Sequence, residues 1–284
     1  MQLLDGKTLA KKIEEKVSFE AKEFKKTTGR VPGLAVILVG HDPASQAYVG
    51  MKKKACDRAG FYSVTHEMPD DISQEAIIKT IEMMNQNPNI DGILIQLPLP
   101  AHIDTTKILE VVAPSKDVDG FHPFNVGRLA TGLDGFVPCT PLGVMELLSE
   151  YNIDPKGKNA VIVGASNIVG KPMAALLLNA NATVTITHIH TKDLRAHTLG
   201  ADMLFVGAGV INLIGEDMVS EGCVVVDIGI NRTEDGRLVG DVNFDTVAPK
   251  TSYITPVPGG VGPMTIAMLL SNTLKAAQNH GEEV

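Results

Sequence analysis

Tyr48 and Lys52 stand four residues apart in YVGMKKKA, which puts a phenol and an amine, both proton-transfer groups, on one face of a helix. Lys52 also opens the run Lys52-Lys53-Lys54, and such a run taken alone reads as a solvated helix face. Gln96 closes the apolar run GILIQ just before Pro98 and Pro100. Open α/β sheets place ligand-binding groups at that carboxyl edge, and an amide capping the strand end is an equal reading. In KDVDGFH, Asp117, Asp119 and His122 read as a turn or a hydrogen-bonding carboxylate, because no further metal ligands follow at a recognisable spacing.

The second half of the chain carries a different chemistry. VIVGASNIVGKP sets Gly164 and Gly170 around a strand-to-helix junction, where backbone amides can meet a phosphate; Ser166 and Val169 stand where the GxGxxG pattern has glycine, so a plain tight turn is the alternative. NAD-selective sites carry an acid at the end of the next strand, but here that strand ends THIHTK, with His188, His190 and Lys192. The missing carboxylate predicts NADP. TPVPGGVGPMT crowds Pro256, Pro258 and Pro263 among Gly259, Gly260 and Gly262, a rigid loop nearly bare of side chains. Pro263 suits the first turn of a helix, where its missing N–H does no harm.

The elements that must position these groups follow from periodicity. Residues 7–27 repeat apolar positions at helical spacing and Gly29 ends them; 33–40 is a strand, 44–59 a helix, 61–68 a strand, 73–85 a helix, 91–100 a buried strand and 104–113 a helix. Such alternation builds a parallel sheet with right-handed crossovers. Residues 113–141, rich in Gly, Pro and Asp, show no period and read as a junction between lobes. After a helix at 142–151 the alternation restarts and predicts a second parallel sheet, closed by a helix from Met264 to about Gln278. The expected class is α/β with two parallel-sheet lobes joined by long helices, the second lobe Rossmann-like. The expected domains are 1–141, with the C-terminal helix 264–284 packing back onto it, and 142–263.

Composition narrows the functional class. The chain has 284 residues, 44% hydrophobic and 20% charged, enough for two linked domains with substantial cores. A net charge of −8 argues against a general nucleic-acid binder. Cys56, Cys139 and Cys223 form no CxxC, so neither a disulfide framework nor a zinc knuckle is expected, and a reducing cytoplasm fits. The N-terminus reads as a turn entering a helix rather than a signal peptide, and no apolar run approaches a membrane span.

Taken together, YVGMKKKA, GILIQLPLP, KDVDGFHPFNVG, PCTPLGV, GASNIVGKP, GDVNF and TPVPGGVGPMT occur in the order found in the bifunctional methylenetetrahydrofolate dehydrogenase/cyclohydrolases, which the chain resembles along its whole length. Short-chain dehydrogenases share a YxxxK pair, but there it follows the glycine motif, whereas here it precedes it by more than a hundred positions. The resemblance implies a homodimer that oxidises 5,10-methylenetetrahydrofolate with NADP and hydrolyses the methenyl product to 10-formyltetrahydrofolate. It makes Lys52 the catalytic lysine, Tyr48 a ring near the folate, Gln96 the partner that positions Lys52 and Asp119 the carboxylate on the pterin. Leu97, Pro98, Pro258, Gly259 and Gly260 join the substrate side. Gly164, Ala165, Ser166, Ile168, His188, His190 and Ile230 join the cofactor side. Many relatives have Arg at the position of Ala165 and Ser-Lys at Ile189-His190, so the contacts to the 2′-phosphate are left open. Two rival readings are a dehydrogenase without hydrolytic activity and a folate- or nucleotide-binding protein without turnover; the retained Tyr48, Lys52 and Gln96 argue against both.

Overall fold

The structure, a computed structural model, describes residues 1–282, so Glu283 and Val284, the end of the helix expected over 264–284, lie outside the described residues. In chain order the elements are β1 (Gln2–Leu3), α1 (Gly6–Thr28), β2 (Gly33–Val39), α2 (Pro43–Ala59), β3 (Tyr62–Met68), α3 (Gln74–Asn85), β4 (Gly92–Ile95), α4 (Thr105–Val111), α5 (Pro123–Ala130) and α6 (Cys139–Glu150). They continue with β5 (Asn159–Val163), α7 (Gly170–Asn179), β6 (Thr183–Thr187), α8 (Leu194–Thr198), β7 (Met203–Val206), β8 (Val224–Asp227), β9 (Asn231–Arg232), β10 (Leu238–Val239), α9 (Phe244–Val247), β11 (Tyr253–Ile254) and α10 (Val261–Glu282).

Two compact units result. One gathers residues 11–128, 134–139 and those from Ile266 on. Its sheet is parallel, in the order β3-β2-β4. All seven residues of the central β2 are buried, which is why that stretch reads as an unbroken apolar run. Ala35, Ile37, Ile93 and Ile95 pack with Ile77 and Ile81 of α3 and with Ile108 of α4. Each such aliphatic side chain, fully buried, contributes roughly 1.5–3 kcal/mol. The helices start on side-chain caps: Asp42 accepts the N–H of Ser45, Ser73 that of Ala76, and Asp104 that of Lys107. Chain order runs from β2 to β3 on one side and then to β4 on the other, so the sheet has a switch point between β2 and β4. Ligands of open α/β sheets bind outside the carboxyl ends of the strands at such a point.

The other unit gathers residues 1–10, 129–133 and 140–265. Its six strands are all parallel, in the order β1-β11-β8-β7-β5-β6. The switch point here lies between β5 and β7. Val161, Val163, Leu204, Val206 and Val225 from the strands form one core cluster with Ile214, Val219 and Val247 from the connections.

Four expectations need correction. Residues 113–141 are not without structure: Pro123–Ala130 is a helix, hidden because its buried residues are Asn125 and Leu129 while Phe124 and Val126 are exposed. The strand expected over 91–100 stops at Ile95, with a last bond to β2 from the Gln96 N–H to the Ile37 carbonyl at 2.9 Å. The helix expected at 142–151 begins at Cys139. The N-terminal turn is a strand, since Gln2 and Leu3 pair with Tyr253 and Ile254; the two residues are too short a run to show a period.

Candidate active site

In the three-stranded unit, β2 feeds α2, which carries Tyr48 and Lys52 one turn apart, and β4 ends immediately before Gln96. Both elements leave the sheet at its switch point, so the amine and the amide meet: Lys52 Nζ donates to Gln96 Oε1 at 3.0 Å. Gln96 Nε2 in turn donates to the Leu97 carbonyl at 2.8 Å, which fixes the oxygen toward the lysine. Lys52 is half-buried, whereas Lys53 and Lys54 are exposed. The structure therefore separates Lys52 from the solvated run that contains it. Tyr48 is also half-buried, and burial raises the pKa of its phenol. Leu97 is half-buried and Pro98 exposed, in the loop that follows.

Asp119 belongs to the same group. Burial raises its pKa, opposed by the Lys52 charge and by a hydrogen bond from Cys139. The Cys139 thiol lies 3.4 Å from the Val118 carbonyl, and burial together with the Asp119 charge raises its own pKa, so it remains a protonated donor. Behind it, buried Asn272 donates to the carbonyls of Val118 at 2.8 Å and Val137 at 3.0 Å and touches the Cys139 sulfur at 3.7 Å. Neither Cys139 nor Asn272 is among the expected site residues. The signal for Cys139 was present in PCTPLGV, but a lone buried cysteine reads equally as core.

The KDVDGFH turn is held by the other aspartate. Asp117 accepts the N–H groups of Phe121 at 3.1 Å and His122 at 2.8 Å, and Asn125 Nδ2 at 2.8 Å. Burial nevertheless pushes its pKa up to about 6, against the pull of those three donors. Its carboxylate is used up within the turn, and among the described residues no group of three or more His, Cys, Asp or Glu could hold a metal ion.

In the six-stranded unit the loops after β5, β6, β7 and β8 stand at the carboxyl edge. Gly164 has φ +115°, and a Cβ there would lie 2.3 Å from the Gly207 carbonyl oxygen, so the first turn packs directly on the loop after β7. Ser166 Oγ accepts the N–H of Val169 at 3.1 Å and holds the turn that enters α7; Ala165 lies between it and Gly164. After β6, His188 Nδ1 accepts the N–H of His190 at 3.2 Å, and both rings are exposed. Ile168, Ile189, Val210, Ile211 and Ile230 are large apolar residues left exposed on these four loops. Pro258, Gly259 and Gly260 belong to this unit too. A Cβ on Gly260 would lie 2.6 Å from the Pro256 carbonyl oxygen, so the loop's own backbone requires that glycine. Pro263 is the third residue of α10, within its first turn as expected.

A cavity of about 400 Å³ lies at the opposite, amino edge of this sheet, lined by Asp154, Lys158, Asp202 and Glu221 among others, and it gathers none of the expected site residues. Among the described residues no helix is long and apolar enough to cross a membrane.

Comparison with known proteins covers both units. Residues 4–119 match the family model of the tetrahydrofolate dehydrogenase/cyclohydrolase catalytic domain, and residues 138–281 that of the tetrahydrofolate dehydrogenase/cyclohydrolase NAD(P)-binding domain. The bifunctional protein FolD of Sulfurimonas denitrificans is 78% identical over 283 residues, which span 100% of this chain and 99% of that protein. The solved structure of the bifunctional methylenetetrahydrofolate dehydrogenase/cyclohydrolase FolD of Campylobacter jejuni is similar at TM-score 0.96 and 57% identity, covering 98% of this chain and 99% of that one. The Trypanosoma brucei methylenetetrahydrofolate dehydrogenase-cyclohydrolase, solved with NADP cofactor and an inhibitor, is similar at TM-score 0.93 and 38% identity, covering 97% and 96%.

Proposed function

Since the chain belongs to the tetrahydrofolate dehydrogenase/cyclohydrolase family, we propose that Lys52 is its proton acceptor for hydrolysis, with Gln96 holding the amine and Asp119 holding the pterin. The activity is bifunctional. The enzyme oxidises 5,10-methylenetetrahydrofolate to 5,10-methenyltetrahydrofolate and hydrolyses that cation to 10-formyltetrahydrofolate. The observation that carries the assignment of Lys52 is its 3.0 Å bond to Gln96 Oε1, which orients the amine at the carboxyl edge of the sheet.

Bound NADP supplies the hydride acceptor for the first reaction. The carboxyl edge of the six-stranded sheet fits such a group: the Gly164 turn brings amides to the switch point, and the exposed isoleucines offer apolar surface for flat rings. Gly164, Ala165, Ser166, Ile168, His188, His190 and Ile230 would hold it, and Pro258, Gly259 and Gly260 extend the substrate side. After β6 stand His188, His190 and Lys192, and the first acid, Asp193, is taken up in capping α8, where it accepts the N–H of Ala196; the edge therefore suits a 2′-phosphate, which favours NADP over NAD.

For hydrolysis, water adds to the methenyl carbon and gives its proton to the Lys52 amine. The bond from that carbon to N5 then breaks: N5 keeps its electron pair and takes up a proton, and the hydroxyl of the adduct gives up its own to become the carbonyl of the formyl group on N10. Tyr48 lies one helical turn from the amine and serves as the ring beside the folate, with Leu97 and Pro98 next to Gln96. The unit of residues 11–128, 134–139 and from Ile266 on is read as the folate domain and the unit of 1–10, 129–133 and 140–265 as the NADP domain, so that of the expected folate span 1–141 residues 1–10, 129–133, 140 and 141 fall on the other side. We further propose a cytoplasmic homodimer joined through the NADP domain; the reduced, buried Cys56, Cys139 and Cys223 suit that compartment. One assay tests the whole reading: methenyl absorbance should rise when NADP meets methylenetetrahydrofolate and decay as the formyl product forms. A rise without enzyme-dependent decay leaves a monofunctional dehydrogenase, and no rise with either coenzyme leaves a binding protein.

A further inference from the structure

GDVNF, residues 240–244, has no part in the chemistry above, yet its aspartate is one of the most heavily used side chains in the six-stranded unit. Asp241 is fully buried. One carboxylate oxygen accepts the N–H groups of Ala208 at 2.6 Å and Gly209 at 2.8 Å, and the other accepts Asn231 Nδ2 at 2.8 Å. Asp227, also buried, stands beside it and accepts the N–H groups of Gly229 at 3.0 Å, Asp241 at 3.0 Å and Val242 at 2.9 Å. The fit is close on both sides. A Cβ on Gly229 would lie 2.3 Å from Asp241 Cγ, and one on Gly240 would lie 1.8 Å from an oxygen of Asp227.

Ala208 and Gly209 follow β7, whereas Asn231 follows β8 and is the neighbour of Ile230. One buried carboxylate thus ties together two loops that leave the sheet separately. The first of them begins at Gly207, whose carbonyl packs on Gly164, so the tie reaches the glycine turn as well. In a dinucleotide-binding sheet the adenosine ribose lies toward the end of the second strand, here β6. The nicotinamide half then lies on the other side of the switch point, over the loops after β7 and β8. Burying a carboxylate is costly unless its lone pairs are satisfied, and the satisfaction here comes from the walls of that subsite.

We propose that Asp241 is a positioning residue for the coenzyme, holding the loops after β7 and β8 at the separation that receives the nicotinamide half of NADP. This rests on the reading of the six-stranded unit as the NADP-binding one. Hydrolysis needs no coenzyme, so the enzyme carries its own control. The test uses the full-length protein with Asp241→Ala, Asp241→Asn and Asn231→Ala, and measures KM for NADP and for NAD beside methenyl hydrolysis without coenzyme. Asp241→Ala should raise both coenzyme KM values about tenfold or more and by the same factor, since the 2′ position is not involved, while hydrolysis changes less than twofold. Asp241→Asn should recover most of the loss, because its amide oxygen still accepts from Ala208 and Gly209 and the Asn231 amide can turn over to meet it. If Asp241→Ala does not fold, Asn231→Ala decides: a rise of about threefold in coenzyme KM with intact hydrolysis supports the role, and an unchanged KM overturns it. Parallel loss of both activities in Asn231→Ala or Asp241→Asn also overturns it, leaving only a structural role. A parent enzyme that does not oxidise with NADP would instead refute the underlying coenzyme reading.

Discussion

Lys52 Nζ and Gln96 Oε1 lie 3.0 Å apart although the residues are 44 positions apart in sequence, one on α2 and the other just past β4. Hydride transfer requires the rings to be held together, and hydrolysis additionally requires an acceptor for the proton of water. Lys52→Gln keeps a polar chain of similar reach but cannot act as a base. Methenyl hydrolysis should fall by about 10² to 10⁴, with the dehydrogenase affected less. Hydrolysis within a few-fold of the parent would return Lys52 to the solvated face of the KKK run.

Gln96→Glu places a charge where the structure has a neutral oxygen. A carboxylate beside the amine favours its protonated form, so hydrolysis should require a higher pH than in the parent. The pH profile of kcat for hydrolysis checks this, and an unshifted profile would mean that Gln96 does not govern the amine.

Asp119→Ala removes the carboxylate held between the Lys52 charge and the Cys139 thiol. Folate KM should rise at least about tenfold, as expected for losing a hydrogen bond to a charged group, while NADP affinity measured by direct titration stays near that of the parent. Equal loss of both affinities would indicate a folding defect.

Asp117 gives a pH signature in stability. Its pKa is about 6 in the fold against an ordinary value of 3.8. A carboxyl group raised by folding contributes stability that is full below the unfolded value and lost as the pH climbs through about 6. Asp117→Asn removes that slope, so relative to the parent the variant should gain on the order of 2 kcal/mol between pH 4 and pH 7. Urea unfolding at the two pH values measures the change, and parallel behaviour of the two proteins would contradict it.

His190→Asp tests coenzyme choice. A carboxylate after β6 would repel a 2′-phosphate and accept a ribose hydroxyl. The ratio of kcat/KM for NADP to that for NAD should fall about tenfold or more; an unchanged ratio would show that the phosphate is gripped elsewhere.

Much of the molecule is legible in its residues because burial on two faces leaves long apolar runs. β2, β4, β5, β7 and β8 declare themselves in this way. Gln96 is a candidate from its place at the end of an apolar run, but that place reads equally as a strand cap; only family motifs set it beside Lys52 and single out Asp119, since an amide or a carboxylate after a strand carries no period of its own. What stayed hidden depends on long-range partners. The pairing of Gln2 and Leu3 requires residues some 250 positions away. Helix α5 turns a polar Asn125 inward because Asp117 and the Pro114 carbonyl are there to receive it. Asn272 and Cys139 acquire meaning only when the chain brings them behind Asp119.

Neither unit is a single stretch of chain, and this governs how the protein can be made. Residues 2 and 3 complete a sheet whose partner strand is Tyr253–Ile254, and the turn that carries Asp119 is braced by Asn272. At roughly 5–20 residues per second, a ribosome needs on the order of ten seconds or more to separate those partners in time. Through that interval strands such as β2, β4 and β5 have been synthesised before the residues that complete their units. An early stop anywhere before about residue 266 would leave two incomplete units rather than one finished domain and one missing.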